Sequence, residues 1–247
     1  MTFKDHFSGH AASYAAYRPG YPPELFEFVV ALTPGRSLAW DCATGNGQAA
    51  LSLAEVFEQV IATDASRQQL DAALPHPRIE YRVAPAEDSG LADGSVDLLT
   101  VAQALHWFDF DRFYREARRV LRPGGAIAAW TYNLLRGTPE INASVDRLAR
   151  EITGAYWPPE RRFVDEEYRT IPFDFPEIPA PVFHHTETWD LARLVAYLRT
   201  WSSVVRYQAA TGEDPLARIA PELQAAWGDP AATRLLSWPI FLRAGRL

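Results

Sequence analysis

Five short apolar runs in the first half of the chain, each closed by a turn, constrain the fold more than any other feature of this sequence. They cover 37–41, 60–64, 79–84, 96–101 and 126–131, and helix-like spacing fills 48–57, 66–74 and 110–121 between them. Strands that alternate with helices imply a parallel sheet, because each parallel connection must cross one face of it. The expected class is α/β: a doubly wound, mostly parallel, seven-stranded Rossmann-like sheet. In such sheets the ligand crevice lies beyond the carboxyl ends of the strands.

Around this frame, two lead-in helices are expected at 3–17 and 24–32, separated by Arg18-Pro19-Gly20-Tyr21-Pro22-Pro23. After residue 131 the pattern loosens. Residues 134–181 hold one helical piece, 141–152, among many prolines and aromatics, and are expected to form a helical cap inserted into a single domain, 1–247. A strand at 182–188, helices at 191–200 and 214–227 and a last strand at 235–242 would finish the sheet, and the final pair need not be parallel.

Composition narrows the class. With 48% hydrophobic residues, 8 Trp, 13 Phe and 10 Tyr, a chain of 247 residues can bury roughly three quarters of its unfolded surface, which excludes disordered and fibrous classes. One cysteine, Cys42, excludes an intrachain disulfide and a cysteine-built zinc cage and points to a reducing compartment, so a cytoplasmic location is expected. A net charge of −7 argues against a general nucleic-acid surface. No leader pattern and no apolar run near the ~20 residues of a membrane span is evident.

The most informative stretch is Asp41-Cys42-Ala43-Thr44-Gly45-Asn46-Gly47, an acid at a strand end followed by glycines where backbone can approach a ligand. Asp64, 23 residues on, closes the next strand, where a carboxylate can accept from both hydroxyls of a ribose. Read as Gly45-x-Gly47-x-x-Ala50, the same turn fits a dinucleotide fingerprint, so an NAD-dependent oxidoreductase stays open. Against it, no Tyr-x-x-x-Lys pair occurs, the only lysine being Lys4. A catalytically inactive cofactor-binding protein is the third reading.

Further segments extend the pattern: Ala62-Thr63-Asp64-Ala65-Ser66, Ala86-Glu87-Asp88, the run from Ser95 through Gln103-Ala104-Leu105-His106-Trp107-Phe108-Asp109, and Leu121-Arg122-Pro123-Gly124-Gly125. Taken together, the chain resembles the class I S-adenosylmethionine-dependent methyltransferases over nearly its whole length. Tyr17-Arg18-Pro19-Gly20-Tyr21-Pro22 and the His-Trp-Phe-Asp run make it similar to a small-molecule branch that includes relatives of fungal trans-aconitate methyltransferases.

The resemblance implies S-adenosylmethionine as cofactor, S-adenosylhomocysteine as product and a small-molecule acceptor, for which oxygen is the expected methyl-accepting atom. It places the donor's ribose on Asp64 beside Ala65, its adenine near Ala86 and Glu87, and its methionine end over Ala43, Gly45, Gly47, Gln103 and Ala104. Asp41 would meet the ammonium directly or through water, and Tyr14 and Arg18 would help hold the donor. His106 is the candidate general base and Trp107, with Phe108, a candidate wall of the acceptor pocket. The chain departs from the family at Ala43, where a glycine is usual, and at Pro85, where many relatives carry an acid. An alanine at position 43 is harmless if φ stays negative there and costly otherwise.

Other groups are expected to be quiet. Arg112, Arg115, Arg119 and Arg122 form a helical stripe that reads as a solvated face. His184 and His185 are neighbours on a strand and point to opposite faces, so no metal site is expected. Cys42 reads as a small buried filler. Arg18, Arg136, Arg161 and Arg162 are the candidates to receive an acceptor carboxylate.

Overall fold

The structure, a computed structural model, describes residues 20–247. Helix α1 (Pro23–Ala31) leads into the alternation: β1 (Leu38–Cys42), α2 (Gln48–Ala54), β2 (Gln59–Asp64), α3 (Arg67–Asp71), β3 (Ile79–Val83), β4 (Val96–Ala102), α4 (Phe110–Val120) and β5 (Leu121–Tyr132). The expected helix at 3–17, with Tyr14 and Arg18, lies outside the described residues.

Strands β1 to β5 are parallel and stand in the order β3-β2-β1-β4-β5. The order reverses between β1 and β4, and their carboxyl ends lie side by side, Asp41 paired with Thr100 and Cys42 of β1 paired with Thr63 of β2. That reversal opens the crevice.

Period-two alternation explains the burial. On β5, Ala126, Ala128 and Trp130 join one core cluster with α1 and α2, while Ile127 and Ala129 join a second with α4. Both faces of the sheet are covered, as a parallel sheet requires. Local signals start the helices: Ser66 accepts from the Gln69 N–H at 3.4 Å and Asp109 from the Arg112 N–H at 3.2 Å.

Beyond β5 the chain forms α5 (Pro139–Asp146), a π-helical turn (Arg147–Ile152) and α6 (Arg161–Asp165), then the short β6 (Glu177–Ile178), β7 (Phe183–Trp189), α7 (Leu191–Arg199), α8 (Ser202–Thr211), α9 (Ala220–Trp227) and β8 (Arg234–Arg246). β8 runs antiparallel to β5 and carries β7 and the two-residue β6 on its other edge. The sheet is thus the expected main set of strands plus a minor eighth.

Residues 134–181 do not pack as one cap. Leu134 through Ile152 join the cluster of α1 and α2 together with α7, α8 and α9, whereas Val164, Tyr168, Ile171 and Phe175 join the α4 side. Helix α8 was not foreseen, since Ser202-Ser203-Val204-Val205 carries weak helix formers and no side chain caps it. The expected helix at 214–227 breaks into a 3₁₀ turn (Pro215–Arg218) and α9, which has proline in its first turn.

Candidate active site

The turn after β1 is organised from beneath by Asp41. Its carboxylate is fully buried, one oxygen accepting from the Thr44 hydroxyl and the other from the Thr100 hydroxyl at 2.7 Å. Burial raises its pKa to about 6. Each oxygen accepts a side-chain hydroxyl inside the protein, so Asp41 shapes the turn.

Three residues of this corner take left-handed backbone: Ala43 (φ 53°), Gly45 (φ 58°) and Gly47 (φ 83°). Glycine suits the last two. A Cβ at Gly47 would stand 2.5 Å from the Tyr81 hydroxyl. At Ala43 the alanine is strained, which answers the question its identity raised.

Asp64 ties this turn to β2. One carboxylate oxygen accepts the Gly45 N–H at 2.9 Å and the other the Ser66 N–H at 2.8 Å. A carboxylate is the acceptor type that the hydroxyls of a ribose diol need. Ala65 is half-buried next to it, and Ala86 is buried. Glu87 accepts the Asp109 N–H at 3.1 Å, which pins the start of α4.

β4 ends just before Gln103, another left-handed non-glycine residue (φ 59°). Its N–H bonds the Trp130 carbonyl at 2.9 Å and its Oε1 accepts from the Thr131 hydroxyl at 3.0 Å, while its buried Nε2 has no partner among the described residues. Ala104 follows, also buried, and opens a 3₁₀ turn (Leu105–Trp107) that carries His106.

A cavity of about 80 Å³ adjoins this turn, lined among others by Gln103, His106, Trp107, Trp157, Arg161 and Trp201. The tryptophans and Arg161 come from both halves of the chain, which is why spacing alone did not assemble them. His106 is 8% exposed, its Nδ1 lies 2.7 Å from the Tyr168 hydroxyl, and burial, with the Arg161 charge, lowers its pKa to about 3. Tyr168 escaped the sequence reading; no local motif marks it.

Of the candidate arginines, Arg161 alone among the described residues lines this cavity. It stacks 4.3 Å from the Trp157 ring centre and donates to Asn133 Oδ1 at 2.6 Å and Asp165 at 2.9 Å. Arg136 is paired with Asp146 at 3.1 Å, and Arg162 is exposed. Among the remaining groups, Arg119 is held by Glu116 and Asp93, Arg122 by Asp97, and Arg112 and Arg115 are exposed. His185 pairs with Glu187 and His184 with Ser237, and no metal-holding cluster occurs among the described residues. Cys42 is buried, and burial pushes its thiol up. A wider hollow of about 380 Å³ opens where β6 gives way to β7 against β8 and holds none of the motif residues. No helix among the described residues is long and apolar enough to cross a membrane.

Comparison with known proteins agrees with this geometry. Residues 40–129 match the methyltransferase domain family. A Dictyostelium discoideum protein described as a methyltransferase is 34% identical over 229 residues, covering 91% of this chain and 87% of its own. A solved structure described as a type II methyltransferase from Anaeromyxobacter dehalogenans superposes with a TM-score of 0.88 at 51% identity, covering 93% of this chain and 98% of that one. A Haemonchus contortus phosphoethanolamine N-methyltransferase, solved with S-adenosylhomocysteine, shares the fold alone, at 16% identity and a TM-score of 0.50 over all of this chain and 61% of its own. With an acid at the carboxyl end of each of β1 and β2, left-handed glycines between them and a relative described as a methyltransferase matched over 91% of this chain, the chain belongs to the class I S-adenosylmethionine-dependent methyltransferases.

Proposed function

We propose that this methyltransferase esterifies a small acid, transferring the methyl group to a carboxylate oxygen of an acceptor held in the cavity beside His106. The observation that carries this reading is Arg161, a guanidinium in an aromatic-walled cavity whose neighbouring imidazole is neutral. A histidine with a pKa pushed down to about 3 is a poor base at pH 7 and would do little for a hydroxyl or an ammonium acceptor. A carboxylate arrives already ionised.

S-adenosylmethionine supplies a methyl group on a sulfonium, open to in-line displacement. The chain's task is then to orient the acceptor and exclude water. Asp64 would hold the ribose, Ala65, Ala86 and Glu87 would border the adenine, and Gly45, Gly47, Gln103 and Ala104 would line the methionine end. The left-handed glycines leave backbone open to a ligand there, and Gln103 Nε2, without a partner among the described residues, offers a donor. Trp107, Trp157 and Trp201 would enclose the apolar body of the acid, and Arg161 would take its charge bidentately.

The test is a screen of aromatic and aliphatic carboxylic acids with methyl-labelled donor, followed by alkali treatment of the product. A methyl ester releases labelled methanol. A product that keeps its label in alkali, as an ether or N-methyl compound does, overturns the carboxylate assignment.

A further inference from the structure

We infer that Tyr168 is a positioning residue that holds His106 as its Nε2–H tautomer, so that the imidazole meets the acceptor as a hydrogen-bond donor. This rests on the reading of the cavity as the acceptor site. The Tyr168 hydroxyl and His106 Nδ1 are 2.7 Å apart, and no part of Tyr168 is exposed. The direction of that bond decides which ring nitrogen carries the proton.

Tyr168 keeps its own proton, because burial pushes the phenol well above its ordinary range. Among the described residues the one group in hydrogen-bond geometry with its hydroxyl is His106 Nδ1. The neighbouring Thr131 hydroxyl gives its one hydrogen to Gln103 Oε1, at 3.0 Å. A buried phenolic hydrogen left without an acceptor is costly, so it goes to the Nδ1 lone pair 2.7 Å away, and a neutral imidazole that accepts at Nδ1 carries its hydrogen at Nε2. Among the described residues nothing hydrogen-bonds Nε2, and the ring lines the cavity.

The backbone supports a dedicated role. Glu167 (φ 58°) and Tyr168 (φ 62°) are consecutive non-glycine residues in left-handed conformation. Strain of this kind persists only where surroundings enforce it. Here the enforcing group is Arg243 on β8, whose guanidinium donates to the Tyr168 carbonyl at 3.0 Å and to the Ile171 carbonyl, and stacks 4.6 Å from the Phe173 ring centre. Glu177 accepts from the same guanidinium. The last strand thus clamps the loop that delivers the phenol. With His106 as a donor beside Arg161, the cavity presents hydrogens to an anionic oxygen.

The experiment is a long-range proton–nitrogen NMR spectrum of protein labelled with 15N-histidine and saturated with S-adenosylhomocysteine, recorded from pH 6 to 8. Expected are an Nε2–H signature for His106 across this range and a shift to mixed or Nδ1–H tautomers in Tyr168→Phe, with the other histidines unchanged. An Nδ1–H signature in the parent protein, or a Tyr168→Phe spectrum identical to the parent, overturns the inference. Should Tyr168→Phe not fold, the parent spectrum alone decides the tautomer. No acceptor is present in these samples, so the result is independent of the ester test, and the two readings can fail separately.

Discussion

Thr100 donates a hydrogen bond to Asp41 at 2.7 Å across the β4–β1 boundary, joining residues 59 apart in sequence at the point where the sheet reverses its order. The bond lowers the Asp41 pKa, as does Thr44, yet burial prevails and leaves it near 6. A group whose folded pKa is raised above its unfolded value favours folding at low pH and loses that contribution as pH rises through the folded pKa. Asp41→Asn should therefore gain on the parent as pH rises from 4 to 7, by at most about 1.4 kcal/mol per unit. Urea unfolding at stepped pH measures this; a stability difference that does not change with pH would refute the buried charge.

His106 works in the opposite sense. Its folded pKa, near 3, lies below its ordinary 6.5, so its contribution is present above pH 6.5 and drains away as pH falls toward 3. His106→Asn should lose less stability between pH 6.5 and 4 than the parent does. Parallel acid titrations would contradict the neutral buried imidazole.

Ala43→Gly should stabilise the protein. Relief of left-handed strain gains about 1–2 kcal/mol, offset by roughly 0.4–1 kcal/mol of extra chain entropy. The net is a melting temperature higher by about 1–3 °C in thermal unfolding. A fall would show that the turn is not strained at φ 53°.

Gly47→Ala should cost roughly 1–3 kcal/mol, since its Cβ would meet the Tyr81 hydroxyl at 2.5 Å in a backbone region that already disfavours side chains. Tyr81→Phe in the same chain should restore part of the loss by removing the clashing oxygen. Additive effects of the two substitutions would place the strain in the backbone alone.

Asp64→Ala should weaken S-adenosylhomocysteine binding about 10–100-fold in calorimetry, the loss of hydrogen bonds to a charged group being worth roughly 1.5–3 kcal/mol. The same substitution frees the Gly45 and Ser66 N–H groups, so thermal stability should fall too. Unchanged affinity would move the ribose elsewhere.

Much of this protein was legible along the chain. Alternating apolar runs specify strands whose neighbours face opposite sides, and Ala128 and Ala129 do part to opposite cores as period two demands. Asp41, Gly45, Gly47 and Asp64 are short-range signals, an acid or a glycine next to a strand end, and they meet in one corner because parallel strands in register bring their ends together. The helix at Ser202–Thr211 was not legible, since packing rather than propensity forms it.

What only the tertiary structure decided is the state of the side chains. Which of several arginines lines a cavity, whether an alanine sits at positive φ, and whether a histidine is charged depend on groups brought in from afar. Tyr168 reaches His106 across 62 residues and is itself held by Arg243 on the last strand. Sequence periodicity fixes which residues face inward because it is a property of neighbouring peptide units. Protonation and strain depend on burial and on the field of distant residues, and those exist only once the chain has closed on itself.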